Sequence, residues 1–132
     1  MLAARAGRVM VTHAAAQGAG TTPDLVDYQH TNFVIIRHDD GTLGEYLHLA
    51  PSSVQVRAGD EVARLQPLAL SGNTGFSSTP HLHFQVMTAA TDGVSAISFP
   101  FRLAVAPERV EEPGLGRRYA AWETIAAPAT GP

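Results

Sequence analysis

Two histidine-bearing segments hold the chemistry open to this chain. The first is His81-Leu82-His83-Phe84, which follows directly on the Gly/Ser/Thr-rich stretch from Ser71 to Pro80. On a strand, side chains at i and i+2 point to the same face. His81 and His83 then stand side by side, with Leu82 and Phe84 on the opposite face. Two imidazoles so placed suit a metal site or metal-assisted hydrolysis; the plainer alternative is a pair of surface histidines on a half-buried strand. The second segment is Glu45-Tyr46-Leu47-His48-Leu49, with the same alternation. It predicts Tyr46 and His48 on one face, Leu47 and Leu49 on the other, and histidine on the polar side of both strands.

The elements that must position these histidines are short. Gly7 to His13 reads as a strand, being rich in apolar and β-branched residues. Residues 14–31 form a long loop of Ala, Gly, Thr and Asp containing Pro23, a length usually tied to function or mobility. Asn32 to His38 is a strand apolar on both faces and therefore central. Asp39-Asp40-Gly41 then signals a tight turn, so this strand and the Tyr46/His48 strand pair as an antiparallel hairpin. Further strands are expected at Val54 to Val62, turning at Gly59-Asp60, at Pro67 to Ser71, at His81 to Met87, and at Ile97 to Phe101 as a last edge strand that tolerates Pro100. His13, His30 and His38 read as surface or strand-end residues. No amphipathic helices separate the strands, so the expected fold is all-β, an antiparallel sandwich or partly closed barrel. Beyond about residue 105 the chain is Pro/Gly/Ala-rich and reads as a tail with a short helix near Arg117 to Thr124. The expected organisation is one domain over 1–104 and a tail over 105–132.

Composition narrows the function further. With 132 residues, 45% hydrophobic and 16% charged, the chain suits one globular domain. A net charge of −3 and the lack of a basic cluster give no case for nucleic acid or anionic lipid. Without cysteine there is no disulfide framework, thiolate zinc site or thiol nucleophile. No apolar run reaches membrane-spanning length, and the first seven residues are too short for a signal peptide. The glycine-rich stretch lacks Gly-Lys-Ser/Thr and precedes a strand, which excludes a phosphate-binding loop. No Gly-x-Ser-x-Gly elbow is present, and Asp39/Asp40 read as turn residues rather than a catalytic carboxylate pair. The turn in Val56 to Val62 is similar to that of biotinyl- and lipoyl-carrier domains, but the chain contains no lysine to carry the group.

Read in order, Tyr46-x-His48-Leu49, Val56-x-x-Gly59-Asp60-x-Val62, Gly72-x-Thr74-Gly75-x-Ser77 and His81-Leu82-His83-Phe84 resemble the lysostaphin-type (LytM-like) zinc metallopeptidases over residues 5–101. The resemblance implies a compact antiparallel β domain with a zinc cleft, acting on the peptides of bacterial peptidoglycan. It implies that His83 is a Zn2+ ligand and that His48 and His81 are catalytic histidines outside the ligand set. These two would activate a zinc-bound water and stabilise the developing oxyanion. Tyr46 matches the tyrosine preceding the catalytic histidine, without a firm role.

This chain departs from the family at one point. The family's His-x-x-x-Asp motif, which supplies the other two protein ligands, has no match upstream of Gly7. A catalytic zinc normally has three protein ligands. His13 with Asp24 or Asp27 could substitute in principle, from a loop where the family does not place ligands. Two expectations follow. In the first, the chain is a fragment of a longer periplasmic or cell-envelope enzyme, its export signal upstream, and is itself inactive with an incomplete zinc site. In the second, it is a non-catalytic domain that binds the cell wall or a partner hydrolase.

Overall fold

The computed structural model describes residues 1–89, 95–106 and 108–117. Its centre is a six-stranded antiparallel sheet in the order β5-β1-β3-β4-β7-β8. The strands are β1 (Gly7–His13), β3 (Phe33–Arg37), β4 (Leu43–Leu47), β5 (Glu61–Val62), β7 (His83–Ala89) and β8 (Ala96–Ser98). The all-β antiparallel architecture expected above is the one observed. β1 has the expected bounds, β3 lies inside the sheet, and the β3–β4 hairpin closes through the turn in which the Gly41 N–H donates to the His38 carbonyl.

Residues directly opposite one another in an antiparallel pair share a face. Val34, Tyr46 and Phe84 therefore lie in one row on one side of the sheet. This side is the core, where Val9, Val34, Ile36 and Tyr46 pack with Ala3, Leu49, Val56, Val62, Leu68 and Ala69. The second wall of the core is the extended chain at 1–4 and 49–70. It is held by scattered bonds rather than a regular ladder: the Leu68 N–H donates to the Met1 carbonyl, Gln55 N–H to Leu68, and Ala50 N–H to Leu70. The strands expected at Val54 to Val62 and Pro67 to Ser71 thus reduce to β5 and to single bridges, Leu2 with Pro67 and Leu49 with Ser71.

On the opposite side, His13, Phe33, Leu47 and His83 form one row across β1, β3, β4 and β7. The loop expected over 14–31 borders this face and is more structured than its composition suggested. It contains β2 (Ala19–Gly20) and a 3-10 turn at Pro23–Leu25. β2 pairs in parallel with β6 (Gly75–Phe76) of the glycine-rich loop, tying the two loops together. Gly75 is required here. It sits at φ 83°, and a Cβ would lie 2.0 Å from the Thr31 hydroxyl oxygen.

The chain divides into two compact units, Met1–Phe99 and Pro100–Pro132. Within the second, β9 (Leu103–Ala106) and β10 (Arg109–Glu111) form an antiparallel hairpin, where an irregular tail was expected. Glu111 pairs there with Arg109 and Arg117. The helix expected near 117–124 lies, apart from Arg117, outside the described residues.

Candidate active site

His48, His81 and His83 come together on the histidine-bearing face. The His48 ring centroid lies 4.8 Å from that of His81 and 5.9 Å from that of His83. The three reach this point by different routes. His83 is the first residue of β7, opposite Leu47, and is exposed. His81 lies before the strand, anchored by its N–H to the Gly72 carbonyl at 3.1 Å. His48 lies past the end of β4 in the left-handed region, at φ 61°.

That last conformation corrects one expectation. Tyr46 and His48 do not share a polar strand face. Tyr46 is 2% exposed in the core, its ring 4.9 Å from Phe84, and its hydroxyl accepts the Ala4 N–H at 2.7 Å. Burial pushes its pKa up to about 12, so it stays a neutral strut between β4 and the start of the chain. The left-handed residue turns the backbone so that His48 meets the other histidines while Leu49 remains fully buried.

Two of the three rings are fixed by backbone carbonyls. His48 Nδ1 lies 2.7 Å from the Thr74 carbonyl, and His81 Nδ1 lies 2.8 Å from that of Thr79. A carbonyl can only accept, so both Nδ1 atoms carry a proton and the Nε2 atom is left as the variable one. Ser77 Oγ adds a contact to His81 Nδ1 at 3.2 Å and itself donates to Asn73 Oδ1 at 2.6 Å. Burial lowers the His48 pKa, opposed by the Thr74 carbonyl and reinforced by repulsion from His81 and His83. His48 is therefore biased toward the neutral base.

Beneath His48 lies a polar hub that its residue types did not announce. Asn32 is fully buried; its backbone N–H donates to Thr74 Oγ1 at 2.9 Å. The Asn32 side chain accepts the Ala16 N–H and donates to the Ala16 carbonyl, both at 2.9 Å. Thr74 Oγ1 donates to the Leu49 carbonyl at 3.0 Å. One buried cluster thus joins the 14–31 loop, the start of β3, the turn after β4 and the glycine-rich loop. A threonine inside a Gly/Ser/Thr stretch and an asparagine before an apolar strand gave no pattern by which to find it.

The remaining histidines lie elsewhere. His13 Nδ1 donates to the Thr31 carbonyl at 2.9 Å, and its ring packs against Phe33. His30 pairs with Asp27 at 2.8 Å in the exposed loop. Bonds from His30, first its backbone N–H, hold the Asp27 carboxyl below the usual range. His38 caps its strand end, Nδ1 on the Ala6 carbonyl at 2.9 Å. Asp39 and Asp40 are turn residues paired with Arg5. Among the described residues, no three His, Asp or Glu side chains converge closely enough to hold a metal ion. His13, Asp24 and Asp27 thus do not complete a site around His83.

The model of peptidase family M23 matches residues 1–95, which hold the antiparallel sheet and the histidines gathered at one end of β4 and β7, and the chain belongs to that family. It is 40% identical over 58 residues to an uncharacterized metalloprotease of Buchnera aphidicola subsp. Baizongia pistaciae, covering 44% of this chain and 15% of that protein. It is 43% identical over 56 residues to the peptidoglycan DD-endopeptidase ShyA of Vibrio cholerae serotype O1, covering 42% of this chain and 13% of ShyA. Its fold matches the catalytic domain of the antimicrobial peptidase lysostaphin from Staphylococcus simulans with a TM-score of 0.53 and 28% identity, over 74% of this chain and 65% of that domain. The matched part of this chain thus spans only 13% and 15% of the two curated relatives.

Proposed function

We propose that this chain is a peptidoglycan-directed metalloendopeptidase domain in which His48 and His81 are the catalytic histidines and His83 is a zinc ligand. The observation that carries the reading is the histidine cluster, with Nδ1 of two members bound to backbone carbonyls. Zinc in this family supplies an activated water. The donors described here do not fit a complete zinc site, so the ligand set is incomplete without donors beyond those described. The chemistry assigned to this chain is accordingly that of its own side chains.

His48, held neutral by burial, accepts a proton at Nε2. His81 carries its fixed proton at Nδ1, pointed at Thr79, so it can donate a hydrogen bond from Nε2 only as the imidazolium. A base that must be neutral loses activity as pH falls through the lowered His48 pKa. A peptidoglycan substrate implies a periplasmic, extracellular or cell-envelope location.

A second reading, a non-catalytic domain that binds the wall or a partner hydrolase, is favoured by the lack of three convergent metal donors among the described residues. Incubating the chain with purified muropeptides and Zn2+, and reading products by mass spectrometry, separates the two. Cleavage abolished by His48→Ala supports the peptidase. Muropeptide binding with Zn2+ bound at His83 and no cleavage supports the binding domain.

A further inference from the structure

Glu45 stands on the histidine-bearing face, opposite Gln85, which is two residues from His83 on β7. It is 1% exposed. Among the described residues no Arg or His nitrogen lies within ion-pair distance of it, and the chain has no lysine. A buried carboxylate without a cation is costly unless hydrogen bonds satisfy it. Two side chains do so. Gln85 Nε2 donates to Oε2 at 2.5 Å, and the Tyr28 hydroxyl reaches both carboxylate oxygens, at 3.3 and 3.4 Å.

Tyr28 belongs to the 14–31 loop, whose residues at 21–30 are almost all exposed. The loop is tied at its start through Ala16 and through β2, and at its end through the Thr31 carbonyl, which accepts from His13 Nδ1. Between these ties Tyr28 meets the sheet, its ring edge-on to Phe33 at 5.0 Å and its hydroxyl on Glu45. Burial first, then the carboxylate, pushes the Tyr28 hydroxyl pKa up, so it remains a donor.

We infer that Glu45 is a positioning residue that latches Tyr28, and with it the middle of the 14–31 loop, over the sheet face beside His83, making the loop a wall of the substrate groove. The groove rests on the peptidase reading; the latch does not. A carboxylate serves this role where an apolar residue would not. It satisfies the β7 side through Gln85 while holding a half-exposed tyrosine by its hydroxyl, a contact that can open and close.

Backbone amide exchange of the whole chain tests the latch without metal or substrate. Tyr28→Phe, which keeps the ring on Phe33, is expected to speed exchange across 22–31 roughly three- to tenfold, the effect of losing one such hydrogen bond. Exchange across 33–37 and 43–47 stays unchanged. Glu45→Ala gives at least the same loop effect. Glu45→Gln gives less, because its amide carbonyl still accepts from Tyr28. Unchanged exchange at 22–31 in Tyr28→Phe, or equal acceleration of every strand, overturns the latch. Titration with muropeptides, followed by NMR at Tyr28 and His83, tests the wall: weaker binding in Tyr28→Phe than in wild type supports it, and equal binding overturns it. No muropeptide response in the wild type overturns the peptidoglycan reading and the wall with it, while the exchange result still decides the latch.

Discussion

Glu45 and Tyr46 are consecutive residues of β4, both almost completely buried, on opposite faces of one sheet. Tyr46 enters an apolar core and needs a single partner, the Ala4 N–H. Glu45 enters a face lined by histidines, an amide and a loop tyrosine, where its carboxylate oxygens are held by side-chain donors. The same strand thus stabilises the fold through one side and arranges chemistry on the other. Substitutions on the core face are expected to change stability, and those on the histidine face to change protonation, loop motion and metal binding.

The sharpest contrast comes from the core. Leu68 is fully buried, and Leu68→Ala is expected to destabilise the domain by about 2–5 kcal/mol through lost burial and a residual cavity. Urea unfolding measures this, and the tautomers of His48 and His81 should survive in the fraction still folded.

Gly75→Ala follows, by breaking the junction of the two loops. The left-handed backbone alone costs about 1–2 kcal/mol, and the new Cβ would also overlap the Thr31 hydroxyl. The expected signature is a lowered melting temperature, with exchange rising first at residues 16–20 and 72–77. A uniform rise would show that the loops do not form a separable region.

A smaller effect is pH-dependent. The folded-state pKa of His48 lies below its unfolded value, so the unfolded chain binds more protons in the interval between them. Stability is therefore lost as pH falls from about 6.5, the ordinary histidine value, through the lowered folded one. His48→Gln should flatten this part of a stability profile measured in urea between pH 7 and 5. An unchanged slope would remove His48 from the account of acid sensitivity.

The smallest expected change in stability is that of His83→Ala, within about 0.5 kcal/mol, because the side chain is exposed. Its melting curve should overlay that of the wild type. A large shift would place His83 among the structural residues.

The sequence showed the scaffold more clearly than the site. β1, β3 and the β3–β4 hairpin were legible because β-branched runs and Asp-Gly report backbone geometry directly. The three histidines were legible as residues, but the turn that presents His48 was not. A left-handed residue after a strand reverses the alternation on which the facing of Tyr46 and His48 was read. β2 and β6, two residues each, are too short to show a period. Asn32, Thr74 and Glu45 were hidden for a related reason. Polar residues become buried hubs only when segments distant in the chain close over them, and strand alternation says nothing of that closure.

The account rests on a histidine cluster with two tautomers fixed by the backbone and one ring open to metal. Long-range 1H–15N spectra of the imidazoles, recorded during a Zn2+ titration, test it most directly. The expected result is the Nδ1–H form for His48 and His81 throughout, with zinc shifting the His83 ring nitrogens. Nε2–H tautomers at His48 and His81, or zinc that shifts the His48 or His81 nitrogens and not those of His83, would contradict it.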